Sequence, residues 1–245
     1  MQSSAKRSPL ARRSRLKPLV SCEHGGNAVP AEYAHLFRGA AKLLDSHRGL
    51  DFGALEMAAA LGARLGVQPI TATTTRLVVD LNRSPHARTV FSDYTRVLSA
   101  ADRAALMERY YWPYRSTVER KVQGVIVRGG TVVHVASHSF TPVLRGEARN
   151  CDVGLLYDPR RRGERRFADA WRAELAARAP QLRVRRNYPY RGDSDALVTH
   201  LRRLHGPRRY LGLELEVNQM HVGGRSWHEI LAAVSDALAA ALERG

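Results

Sequence analysis

The sequence predicts one α/β domain in which a mostly parallel sheet is sandwiched between helices. Two observations carry this. Short apolar, β-branched runs alternate with amphipathic stretches along most of the chain, the pattern of strands joined by helical crossovers. Polar groups stand where those runs end, at His24, Asn82 and Arg83, His138, Asn187 and Glu216. Open α/β sheets bind ligands beyond the carboxyl ends of their strands. A length of 245 residues allows one large core, and 44% apolar with 25% charged residues is the balance of a globular chain. Residues 1–17 read as a flexible basic arm and 18–245 as a single domain, since no repeat or linker interrupts the pattern after residue 18.

Residues 19–22 form an apolar run that feeds a turn at Gly25 and Gly26, where the backbone approaches a ligand or metal closely. Residues 30–44 read as a helix with Tyr33, Leu36, Phe37 and Leu44 on its apolar side. Asp51 stands where an N-cap is wanted, ahead of a helix over 52–65 with Phe52, Leu55, Ala59 and Leu65 on one side. Residues 70–75 and 77–81 are β-rich, and Pro85 closes the second run. A loop over 84–98 leads to a long helix from 100 to about 122, kinked or interrupted at Pro113. Residues 131–137 are a strand that stops on a Ser-His-Ser turn carrying His138. A loop at 141–151 precedes a strand at 153–157 and a helix at 165–178 with Phe167, Ala170, Trp171 and Leu175 facing in. An alternating strand at 182–187 and a helix at 196–204 follow. In the strand 210–217 Glu214 and Glu216 share one face, opposite Leu211, Leu213, Leu215 and Val217. The last helix, 227–242, has Trp227, Ile230, Leu231, Val234, Leu238 and Leu242 at helical spacing.

Lys and Arg number 39 against 23 acids, a formal charge of +16. Such a surplus raises nucleic acid as a partner. The cations are mostly arginines spread along the chain, concentrated in the N-terminal tail and at 160–166, with no nucleic-acid-binding signature beside them. Neither nucleic acid nor a membrane is therefore the expected partner, and 160–166 reads as a solvated helix start. Cys22 and Cys151 make neither a zinc cluster nor a disulfide framework, which fits a reduced, cytoplasmic setting. The N-terminal tail lacks the apolar core of a secretory signal, and no run reaches the length of a membrane span.

His24 and His138 each follow an apolar strand. With a carboxylate they make a three-ligand zinc site that keeps a position open for water; read singly, each is a turn histidine making hydrogen bonds. Glu214 and Glu216 are either carboxylates buried for use or the wet face of an edge strand. In the first case Glu216, nearer the strand end, is the general base. Arg83 beside Asn82 offers a fork of donors for a carboxylate, or a surface pair with Asp80. His47 and His134 read as surface or core histidines, His134 lying inward of His138 on the same strand face.

Six segments together, residues 21–30 (SCEHGGNAVP), 76–83 (RLVVDLNR), 137–142 (SHSFTP), 152–157 (DVGLLY), 187–190 (NYPY) and 213–218 (LELEVN), resemble the N-formylglutamate amidohydrolase family. That family is similar in turn to the zinc carboxypeptidases and related deacylases. The resemblance implies a three-layer, mixed but mainly parallel sheet flanked by helices, of the carboxypeptidase-like, phosphorylase/hydrolase-like kind, with one zinc ion at its C-terminal edge. It implies His24 and His138 as metal ligands, Asn82 and Arg83 on the substrate carboxylate, and Glu216 as general base. Carboxypeptidases have a glutamate three residues after the first histidine, where this chain has Asn27. The middle ligand then falls to Asp51, with Glu23 as the alternative. Arg149 and Tyr190 are further substrate contacts. The activity implied is metal-dependent hydrolysis of an N-acylated amino acid such as N-formylglutamate, with a small-molecule carboxylate as the partner. The rival readings are a non-catalytic or nucleic-acid-associated protein on a hydrolase fold, and a peptide-cleaving carboxypeptidase or amidase.

Overall fold

Strand alternation decides which side of the sheet is core and which can carry chemistry. The structure, a computed structural model, describes residues 16–244. The elements in chain order are β1 (Leu16–Cys22), α1 (Ala41–Leu44), α2 (Ala54–Leu65), β2 (Ile70–Thr71), α3 (Ala100–Leu106), α4 (Trp112–Val127), β3 (Thr131–Phe140), β4 (Val143–Leu144), β5 (Glu147–Ala148), β6 (Val153–Leu156), α5 (Arg162–Arg178), β7 (Val184–Arg186), α6 (Leu197–Leu204), β8 (Tyr210–Asn218) and α7 (Trp227–Arg244). Six strands form one sheet in the order β2-β1-β3-β8-β6-β7, and β4 pairs β5 in a small hairpin. The strands β2, β1, β3 and β8 run parallel, while β6 is antiparallel to β8 and parallel to β7. The sheet is thus mixed and mainly parallel with helices on both faces, the expected class.

In register, Val133 faces Leu211, Val135 faces Leu213 and His138 faces Glu216. Because successive side chains point to opposite faces, Val133, Val135, Leu211, Leu213, Leu215 and Val217 all fall on one side. They join Trp171, Leu175, Val234 and Leu238 of α5 and α7, and Met57 and Leu61 of α2, in the larger core. Fully burying each such side chain is worth roughly 1.5–3 kcal/mol. The other side puts Val132 and Tyr210 against Val118, Val122, Leu197 and Leu201. Towards the strand ends that same side turns polar, with His134, His138, Glu214 and Glu216. All nine residues of β8 are buried, so the wet edge strand considered for its glutamates does not occur.

Several elements differ from expectation. The strand β1 begins at Leu16, so residues 16 and 17 belong to the sheet; the rest of the proposed arm lies outside the described residues. Only a 3₁₀ segment at 31–37 and the four residues of α1 occur within 30–44. Residues 77–81 make no strand: the carbonyls of Leu77 and Val78 accept hydroxyls of Ser92 and Thr95, and Asp80 N–H bonds Val90. The long helix runs on to Val127, with a π-helical turn at 107–111 just before Pro113. Proline lacks the N–H that an α-helical turn would use, and a wider turn ahead of it accommodates the ring. The strand β3 continues through His138 to Phe140. Among the described residues no helix is long and apolar enough to cross a membrane.

Candidate metal centre

His24 stands two residues beyond β1, and its carbonyl accepts the N–H of Asp51 at 3.0 Å. That bond ties the approach to α2 to the end of β1. The cap of α2 is Gly53, with φ at 76°, and no side-chain cap is made. A Cβ there would stand 2.7 Å from Val222 and 2.9 Å from Trp227. Asp51 is therefore not the N-cap, and its carboxylate is free to turn into the site. Gly26 is needed for space: a Cβ would lie 2.5 Å from the Thr73 carbonyl.

Asp51 Oδ2 lies 3.2 Å from His24 Nδ1 and 2.8 Å from His138 Nδ1. The ring centroids are 5.1 Å apart. His24, Asp51 and His138, all buried, place one ligand atom each within 4.8 Å of the others, so the three could hold a metal ion. Two imidazole nitrogens and a carboxylate oxygen are a donor set found in catalytic zinc sites. The opposite ring edges meet carboxylates. His24 Nε2 is 2.7 Å from Asp80 Oδ1, and His138 Nε2 is 3.2 Å from Glu23 Oε2. Carboxylates at the far nitrogen orient imidazole ligands and fix their tautomer. The residues present fit a divalent cation.

Arg76 joins these groups, donating to Asp51 Oδ1 at 3.3 Å and to Asp80 Oδ2 at 2.7 Å. Burial alone would raise the Asp51 carboxyl, but the charge of His24, the hydrogen bond from His138 and the charge of Arg76 hold it well below the usual range. Burial is likewise outweighed at Asp80 by Arg76 and His24, and at Glu23 by its contact with His138, which brings it down to about 2. His138 is raised by Asp51 and Glu23 against its own burial. Glu216 goes the other way. Burial, with the charges of Asp51 and Glu214 added, pushes it up to about 8 although His138 opposes. Its Oε2 is buried and among the described residues has no hydrogen-bond partner.

These residues open on a cavity of about 250 Å³ whose lining includes His24, Asp51, His138, Glu216, Arg76 and Arg83. Asn82, also in its wall, is already engaged: Nδ2 donates to Glu214 Oε1 at 3.1 Å and Oδ1 accepts Leu197 N–H at 2.7 Å. Arg83 donates one bond, 2.6 Å from Nη1 to the Asp195 carbonyl. Tyr190 lines the mouth, 44% exposed, and receives Arg149 Nη1 on its hydroxyl at 2.9 Å. Arg149 itself does not line the cavity. Asn27 points away, to Asp45 and the Leu44 carbonyl.

Some contributors carry no sequence signal of their own. Buried Arg115 of α4 donates to the carbonyls of Leu81 and Arg83, each at 3.1 Å, and Tyr111 donates to Arg83 O at 2.6 Å. These bonds hold the turn that presents Asn82 and Arg83. Arg76 and Asp80 were within reach of sequence reasoning, four residues apart in the segment quoted above. His47, read as a surface or core residue, is exposed and stands at the cavity rim. His134 is buried between Ser21 and Tyr210 and does not touch His138.

The model of the N-formylglutamate amidohydrolase family matches residues 16–222. Among solved structures, the gene product Atu2144 from Agrobacterium tumefaciens is similar at 31% identity and a TM-score of 0.79, over 93% of this chain and 90% of that one. The N-formylglutamate amidohydrolase from Ralstonia eutropha JMP134 is similar at 20% identity and a TM-score of 0.69, over 93% of this chain and 94% of that one. At that identity the second likeness is one of fold. No curated protein matches the chain.

Proposed function

The chain belongs to the N-formylglutamate amidohydrolase family, and we propose that it is a zinc-dependent hydrolase of N-acylated amino acids, with N-formyl-L-glutamate as the first substrate to test. The observation that carries this is the meeting of His24, Asp51 and His138 in the same small cavity as a buried, unpartnered Glu216 oxygen. When bound, zinc would supply Lewis acidity to the scissile carbonyl and to the attacking water. Glu216 takes the water proton and delivers it to the leaving amine, so the amide becomes a carboxylate, formate for a formyl substrate, and a free amino acid. Its elevated proton affinity near neutral pH suits both halves of that transfer. Arg83 keeps most of its guanidinium fork for the substrate carboxylate. Asn82 holds Glu214 and the start of α6 beside it. Tyr190 stands at the mouth, its hydroxyl held by Arg149. The modest cavity favours an acyl amino acid over a peptide.

The test is to incubate purified, zinc-loaded protein with N-formyl-L-glutamate, N-acetyl-L-glutamate and short peptides, and to measure the amine and acid released. Equimolar formate and glutamate support the reading. Peptide cleavage alone would move the protein to the carboxypeptidases. Hydrolysis of none of them, by protein carrying stoichiometric zinc, would end the proposal.

A further inference from the structure

A second cavity, of about 1030 Å³, lies where β1, β3 and β8 begin, at the opposite end of these strands from the candidate metal centre. Its floor is apolar, from Leu16, Phe167, Ala170, Leu211 and Ala241. Its rim is Arg160, Arg161, Arg162, Arg166, Arg208 and Arg244, and among the described residues no acidic one lines it. Three of the six have partners for their charge or their donors. Arg160 pairs with Asp158, Arg244 with Glu174, and Arg161 donates to main-chain carbonyls including that of Tyr210. The side chains of Arg162, Arg166 and Arg208 are exposed, and among the described residues they make no hydrogen bond or ion pair. Arginines around a hollow create a concentrated positive potential, and the guanidinium fork matches phosphate oxygens.

Shape and charge narrow the occupant. The fifteen residues before Leu16 carry Lys6, Arg7, Arg12, Arg13 and Arg15 and no acid, so they are no electrostatic complement to this rim. Single-stranded nucleic acid is held on exposed aromatic platforms. Of the exposed aromatics, Trp112 and Tyr190, neither lines this cavity. A half-open hollow with an apolar floor and a basic rim suits a compact anion that carries a less polar body. We propose that this cavity binds an organic polyphosphate of the nucleoside polyphosphate class, with its phosphates on Arg162, Arg166 and Arg208 and its less polar body over Phe167 and Leu211. The cluster at 160–166, read from sequence as a solvated helix start, then has a ligand.

Calorimetric titration of the full chain with ATP as the probe tests this, beside inorganic tripolyphosphate and a short single-stranded RNA. ATP is expected to bind once per chain and at least about tenfold more tightly than tripolyphosphate. The combined Arg162→Ala, Arg166→Ala, Arg208→Ala variant is expected to lose at least about tenfold in ATP affinity while its thermal melt and zinc content stay those of the parent. If the triple variant melts early, Arg208→Glu alone serves, with the same expected loss. Absent ATP binding, ATP binding untouched by these substitutions, tripolyphosphate binding as tight as ATP, or RNA binding that ATP does not displace would each overturn the proposal.

Discussion

Replacing Asp51 by asparagine separates a metal ligand from a mere neighbour of two histidines. The substitution keeps size and shape, so the site should still assemble. What changes is charge and donor sense. Oδ2 now meets two ring nitrogens, at 3.2 and 2.8 Å, and Oδ1 accepts from Arg76 at 3.3 Å. An amide has one oxygen and one NH2, so either the imidazoles or the Arg76 guanidinium must face a donor. Losing one charge-assisted bond in a buried setting costs about 1–3 kcal/mol in the metal-free protein. Loss of an outer carboxylate typically weakens metal binding about 10–100-fold, so loss of an inner one should weaken it by at least about 100-fold. Zinc per chain after dialysis, chelator competition and urea unfolding measure both effects. A variant that holds zinc as tightly as the parent would refute the assignment. The middle ligand would then pass to Glu23, whose contact with the far edge of His138 otherwise predicts only an orienting role.

Glu216→Gln should lower kcat by about 10²–10⁴-fold while zinc content is unchanged; an active variant would remove Glu216 from the proton transfer. Arg83→Lys loses the planar fork, so KM should rise by about tenfold or more with kcat nearly kept, and equal KM values would show that the carboxylate sits elsewhere. His134 gives a pH prediction on stability. Burial pushes it down to about 4, below an unfolded value near 6.5. The unfolded chain therefore takes up the proton first, and this stability, full above about pH 6.5, is lost as pH falls towards 4, by about 3 kcal/mol. Urea midpoints from pH 7 to 4.5 should fall more steeply for the parent than for His134→Gln, and parallel curves would sink the account.

The fold was legible wherever one face of an element is buried. Alternation in 210–217 assigned Glu214 and Glu216 to one face and the leucines to the core, and α7 matched its apolar stripe. Residues 77–81 misled because they are apolar and rich in valine, and all but Asp80 pack into the second core, yet the carbonyls of Leu77 and Val78 are satisfied by hydroxyls from 92 and 95. No periodicity announces that. The reversed sense of β6 did have a signal. Residues 141–152 hold no helix, and a parallel return across a sheet ordinarily uses one.

The site was legible to the extent that it is made of strand ends, and Asp51 shows where that stops. A local cap explained its presence in the sequence, and only the family resemblance gave it a second role as the middle ligand. Gly53 takes the cap instead, and the His24 carbonyl fixes the Asp51 backbone. The consequence reaches past one ligand. Arg76 binds Asp51 and Asp80 together, and these two carboxylates hold the two nitrogens of His24. Their charge is thus balanced by a guanidinium as well as by any cation between the histidines. Ionised carboxylates beside two imidazoles suit a cation, and they are held so in part by Arg76, which is not one of the three candidate ligands. Arg76 is accordingly the residue through which the segment 76–83 governs the first histidine, while Arg115 and Tyr111 hold the turn that carries Asn82 and Arg83.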